Sequence, residues 1–100
     1  MTTKRLIDKV RRDFAPEESE ILLGFLAEFD GLDPDEVGAE RLQAAIVLGA
    51  RGDSRRFLQM LVIARGDWRD ALVVGGLAND DWPDRLADAL AARDGAQSPL

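Results

Sequence analysis

Cysteine, histidine and tyrosine do not occur in this chain. Without cysteine there are no disulfides and no thiolate metal sites. Without histidine the usual proton shuttle and the commonest metal ligand are missing. Lysine occurs only at Lys4 and Lys9, and the hydroxyls are Thr2, Thr3, Ser19, Ser54 and Ser98, none beside a candidate base in a recognisable motif. Any catalysis would fall to carboxylates, Ser, Thr or Lys without such a motif, and the chain reads as a non-enzyme with no assignable catalytic, cofactor-binding or metal residue. A basic-then-apolar leader and an apolar run near twenty residues are also missing, so the expected location is the cytoplasm, away from the membrane.

What is present is an ordinary globular composition, 46% hydrophobic and 32% charged over 100 residues, enough for one core. The net charge of −6 is laid out in three zones. Residues 1–12 hold Lys4, Arg5, Lys9, Arg11 and Arg12 against Asp8 alone. Residues 13–40 hold ten acids and no base, and residues 41–100 balance eight arginines against eight aspartates. Adjoining zones of opposite sign suggest that a basic first helix folds on an acidic second one. The alternative is that the acidic zone is a docking face for a basic partner, or the basic arm a grip on nucleic acid. The overall acidity disfavours nucleic acid, whose backbone demands a dense basic surface.

Apolar residues recur at helical spacing, and two-residue alternation is absent, which gives an all-α fold. Thr2 or Thr3 caps a first helix over about 4–14, with Leu6, Ile7, Val10 and Phe14 on one face. Pro16, Glu17 and Glu18 open a second, burying Leu22, Phe25, Leu26 and Phe29 and stopping at Gly31. Asp33, Pro34, Asp35 and Glu36 are again start signals. Over 39–51, Leu42, Ala45, Ile46 and Gly49 form a stripe whose small members admit a close neighbour.

Asp53, Asp67 and Asp81 then recur at fourteen-residue intervals, in Ala50-Arg51-Gly52-Asp53, Ala64-Arg65-Gly66-Asp67 and Ala78-Asn79-Asp80-Asp81, with Ala92-Arg93-Asp94-Gly95 closing the series. Each aspartate is placed to cap a helix, and the preceding glycines to end the one before. Asp70 and Asp84 add an aspartate version of the capping box. Trp68 and Trp82 thus stand at the first positions of successive helices and read as scaffold. Helices over 54–65 and 68–77 are apolar on most sides, which predicts burial; together they also exceed what so small a domain easily encloses. Gly75-Gly76 reads as a helix end with Leu77 folding back, or as a close helix crossing. The last helix, about 82–93, turns Leu86, Ala89 and Leu90 inward.

Other motifs reduce to these junctions. Arg51-Gly52-Asp53 and Arg65-Gly66-Asp67 spell an adhesion tripeptide but coincide with helix boundaries. Asp33, Asp35 and Gly38 fit a calcium loop whose fifth and twelfth positions, Val37 and Ala44, lack the needed oxygens. Asn79, Asp80, Asp81 and Asp84 form a helix start before they form a cation site. Arg51, Arg55 and Arg56 gather at the turn of a possible helix-turn-helix within 40–65, though the following helix is apolar for a groove reader.

The segments Glu40–Asp53 and Gly66–Pro83 resemble parts of small uncharacterised bacterial helical proteins, a domain of unknown function, with a Gly-Asp turn and an Asp-Trp-Arg-Asp helix start. The resemblance covers about half the chain and implies a helical fold with no known activity. The wealth of Ala, Arg, Asp and Gly also fits a GC-rich bacterial genome. The sequence thus predicts a compact orthogonal array of five or six short helices, a single domain over 1–94 and a tail over 95–100. Its expected role is a small non-enzymatic interaction or regulatory module without cofactor, docking a protein partner or itself; the alternative is a helix-turn-helix-like DNA-binding regulator. No small-molecule ligand is named by the residues.

Overall fold

A computed structural model describes residues 2–28 and 39–91, with the side chain of Ala39 excepted. Among these residues it contains six helices and no strand: α1 (Lys4–Asp13), α2 (Pro16–Ala27), α3 (Ala39–Ala50), α4 (Ser54–Gly66), α5 (Trp68–Gly75) and α6 (Trp82–Ala91). The fold is the expected all-α array of short helices. Phe29, the stop at Gly31, the start signals at Asp33–Glu36, the calcium-loop residues before Ala44, the Ala92–Gly95 motif and the tail 95–100 lie outside the described residues.

The centre of the molecule is α3. Leu42, Gln43, Ala44, Ala45, Ile46, Val47, Gly49 and Ala50 are all buried, so this helix is enclosed on nearly every side, with α4 and α5 as its main neighbours. Its small residues permit this. A Cβ on Gly49 would stand 2.7 Å from the Met60 thioether on α4, and one on Gly75 of α5 would stand 2.5 Å from the Ala45 carbonyl. The small-residue stripe therefore receives α4 at Gly49 and α5 at Ala45. Phe57 on α4 is fully buried, and its ring meets Phe14 edge-on at 5.7 Å, tying the end of α1 to the same core.

The expected burial of α4 and α5 requires correction. Phe57, Met60, Leu61 and Ala64 face inward on α4, and Ala71 and Leu72 on α5. Leu58, Val62, Val73 and Val74 face outward. Apolarity on all sides leaves orientation undetermined, and the centre goes to the helix with the smallest side chains, which neighbours can approach most closely.

Helix ends follow local chemistry, with four departures, one of them Asp81, whose carboxylate accepts from the Arg85 guanidinium and from no backbone amide among the described residues. The Asp53 carboxylate accepts from the Arg55 and Arg56 amides at 2.8 and 3.3 Å, and that of Asp67 from the Arg69 amide at 3.0 Å. Trp68 and Trp82 open α5 and α6 as expected. Gly52 (φ 77°) takes the left-handed turn before Asp53, but Gly66 remains helical and the chain leaves α4 through an extended Asp67. The reciprocal half of a capping box does not form at Asp67, because its N–H already donates to the Ile63 carbonyl at 2.8 Å. Thr3 holds the backbone position before α1 without a side-chain cap; its hydroxyl donates to Glu40 Oε2 at 2.5 Å instead.

Both readings of Gly75-Gly76 are realised, one per residue. Gly75 is the close crossing. Gly76 (φ 80°) ends α5, while Leu77, buried, donates its N–H to the Leu72 carbonyl at 2.9 Å. Leu86 and Leu90 of α6 are buried, and Ala89 is half-buried.

Candidate functional site

The tryptophans belong to the scaffold. Trp68 and Trp82 are half-buried and packed against the core. The Arg69 guanidinium lies 4.5 Å from the Trp68 ring centre, and that of Arg41 lies 4.9 Å from the Trp82 ring centre. Arg41 also donates from Nε to the Leu77 carbonyl at 2.9 Å, holding the start of α3 to the end of α5. The carboxylates beside the indoles are engaged, Asp67 as a cap and Asp81 with Arg85 Nε at 2.7 Å. Each ring is thus held by an arginine on one side and by the core on the other.

Two of the hydroxyls, those of Thr3 and Ser19, are likewise committed. Ser19, buried in α2, has its Oγ within 3.0–3.4 Å of the carbonyls of Ala15, Phe14 and Val10. It fastens the corner between α1 and α2, a role invisible while it is only one hydroxyl among five. Gln43, fully buried in α3, donates to the Leu26 carbonyl at 3.0 Å, and its Oε1 has no hydrogen-bond partner among the described residues. Among the described residues no three acidic side chains gather into a metal-holding group.

Charge pairing only partly follows the two-zone expectation. Across α1 and α2 one pair forms, Arg11 with Glu20 at 3.3 Å. The strongest partner of α1 lies on α3, where Arg5 grips Glu40 with both nitrogens, Nε to Oε2 at 2.8 Å and Nη2 to Oε1 at 2.7 Å. That fork holds the Glu40 carboxyl below its ordinary value, burial opposing and the Thr3 hydroxyl adding to the effect. Arg12 donates to the Leu90 carbonyl at 2.9 Å, and Glu28 at the end of α2 meets Arg65 at 2.7 Å.

The feature that scaffold chemistry leaves unexplained is a band of outward apolar side chains. Ile21, Leu58, Val62, Val73 and Val74 are the exposed large hydrophobics among the described residues, with Val62 68% and Val73 66% exposed. They are not scattered. Ile21, Phe25 and Leu58 share a hollow of about 180 Å³ between α2 and α4, with Glu18 and Ser54 at its rim. Val62 follows Leu58 by one helical turn. Ile63 and Val74 then share a second hollow, of about 200 Å³, between α4 and α5, with Arg56 and Gln59 at its edge. Single exposed apolar residues are unremarkable, whereas a continuous run across three helices marks a contact surface.

The electrostatic setting of the band is uneven. Helix α4 carries Arg55, Arg56 and Arg65 and no acid, within a chain of net charge −6. Arg55 and Arg56 are exposed and make no ion pair among the described residues, and Arg51, also exposed, sits in the adjoining turn at φ 53°. The three arginines singled out by the sequence therefore lie around the start of α4, Arg51 in the turn before it, Arg55 on the side of Leu58 and Arg56 at the hollow shared with α5. The sequence signal for the band was the surplus of apolar residues in α4 and α5. What was missing was the direction each would face.

Comparison of the chain with protein-family models, with curated proteins and with solved structures gives no match. No described helix is long and apolar enough to cross a membrane.

Proposed function

We propose that this protein is a non-enzymatic, cytoplasmic interaction module that docks a protein partner through the α2–α4–α5 band. The observation that carries the reading is the outward set Ile21, Leu58, Val62, Val73 and Val74 on α2, α4 and α5, with Ile21 and Leu58 in an apolar hollow and Val74 in a second hollow of mixed lining. The partner's chemistry is read from the flank. An apolar helix face bordered by carboxylates would fill the hollows and meet Arg55 and Arg56. Each hollow has room for about one large side chain, the size of anchor on which small interfaces depend.

The test is site-specific photo-crosslinking in the native cell. Probes at Val62 and Val73 should capture a protein, while a probe at Asp88 on α6 should not. Equal capture at all three positions, or none at any, defeats the reading. The runner-up, a DNA-binding regulator, draws on the three exposed arginines at the α3–α4 turn. Leu58 and Val62 in the middle of the outward face of α4 count against it. Duplex affinity that falls steeply with salt and vanishes in Arg55→Glu/Arg56→Glu would put DNA in the partner's place.

A further inference from the structure

We infer that the occupant of the band is a second copy of this chain, paired about a two-fold axis that runs along the groove between α2 and α4. The inference rests on the docking reading above and adds the partner's identity.

The two helices lining the groove run in the same direction. Their starts meet where Glu18 and Ser54 rim one hollow, and their ends are joined by the Glu28–Arg65 pair. A two-fold axis parallel to them lays α2 of each copy over α4 of the other without reversing either. The first turn of α2 then falls on the first turn of α4. Glu17 and Glu18 are exposed, have no ion pair among the described residues, and belong to a helix with no base. Arg55 and Arg56 are exposed, equally unpaired, and belong to a helix with no acid. The surface is thus complementary to itself, acid to base at both ends of the two-fold relation, and the acids also approach the positive end of the opposing α4.

The apolar register agrees. Along α2 the outward stripe is Glu17, Ile21, Gly24 and Glu28; along α4 it is Arg55, Leu58, Val62 and Arg65. Superposed start on start, Ile21 meets Leu58 and Gly24 meets Val62. Gly24 is otherwise unaccounted for. It stands inside a helix, where glycine is weaker than alanine, yet a Cβ there would meet nothing within 4 Å. Nothing among the described residues needs the missing side chain; a second helix lying over α2 does, because bare backbone gives Val62 of the other copy its room.

Analytical ultracentrifugation with charge swaps tests this pairing. The wild-type chain should sediment as a dimer. Glu17→Arg/Glu18→Arg and Arg55→Glu/Arg56→Glu should each be monomeric with unchanged helical circular dichroism, and their equimolar mixture should recover the dimer mass. Gly24→Leu should be monomeric and folded. If a swapped pair loses its helical signal, Val62→Asp, on a side chain already 68% exposed, reads the same interface. A monomeric wild type at its solubility limit, or folded swaps that stay monomeric when mixed, overturns the self-pairing. In that case a Val62 cross-link of a mass other than two chains leaves the docking reading standing, and the absence of any cross-link removes both.

Discussion

At the scale of single residues, the tightest constraint is where α5 crosses α3. A methyl group on Gly75 would press on the Ala45 backbone, with its carbonyl at 2.5 Å and Cα at 2.6 Å, and backbone has no rotamer by which to retreat. Gly75→Ala should therefore cost about 1–3 kcal/mol in urea unfolding. Gly49→Ala meets only the Met60 thioether, a flexible side chain that swings aside, and should cost less than about 1 kcal/mol. The pair Gly75-Gly76 shows what could be read in advance. Glycine doublets announce either an end or a crossing, and the cost of glycine inside a helix favours an end. The crossing partner, Ala45, is thirty residues away, and no local pattern names it. Thr3 was misread for a related reason. A cap is a local expectation, and the competing acceptor, Glu40, arrives only through the tertiary fold.

At the scale of helices, the aspartates that punctuate the chain carry measurable weight. Asp53→Ala removes the acceptor for two amides at the start of α4 and should lower stability by about 1 kcal/mol, read as a lower urea midpoint with unchanged slope. The clasp between α1 and α3 has a pH signature. Arg5 and Thr3 hold the Glu40 carboxyl below its ordinary value, so the ionised form is favoured in the folded state. The resulting stability is present in full above the ordinary glutamate value and is lost as pH falls through the depressed native one. Glu40→Gln should cost about 1 kcal/mol at neutral pH and nothing once Glu40 is protonated, a convergence that acid titration of both proteins will display. Element boundaries were legible because their signals are local: Pro16 at a first turn, Asp53 and Asp67 as caps, Trp68 and Trp82 opening their helices. Which helix occupies the centre was not. Helices α4 and α5 are richer in large apolar residues, yet α3 is enclosed because Ala44, Ala45, Gly49 and Ala50 let its neighbours close in.

At the scale of the whole molecule, the surplus of apolar surface foreseen from composition ends up outside, gathered in one band. If two copies share that band, folding and association are linked. A hundredfold rise in protein concentration should then raise Tm by roughly 4–8 °C, whereas a solitary chain melts at one temperature throughout. Differential scanning calorimetry across that range distinguishes the two. The outward residues of α4 and α5 also share a single junction. Asp67 donates the last hydrogen bond of one helix from its N–H and caps the next with its carboxylate, so the two rods meet at an elbow with no slack in it. The ridge they present is shaped when the domain folds rather than when a visitor arrives. Little chain entropy is left to surrender at the moment of contact, and a modest surface can hold on with few anchors.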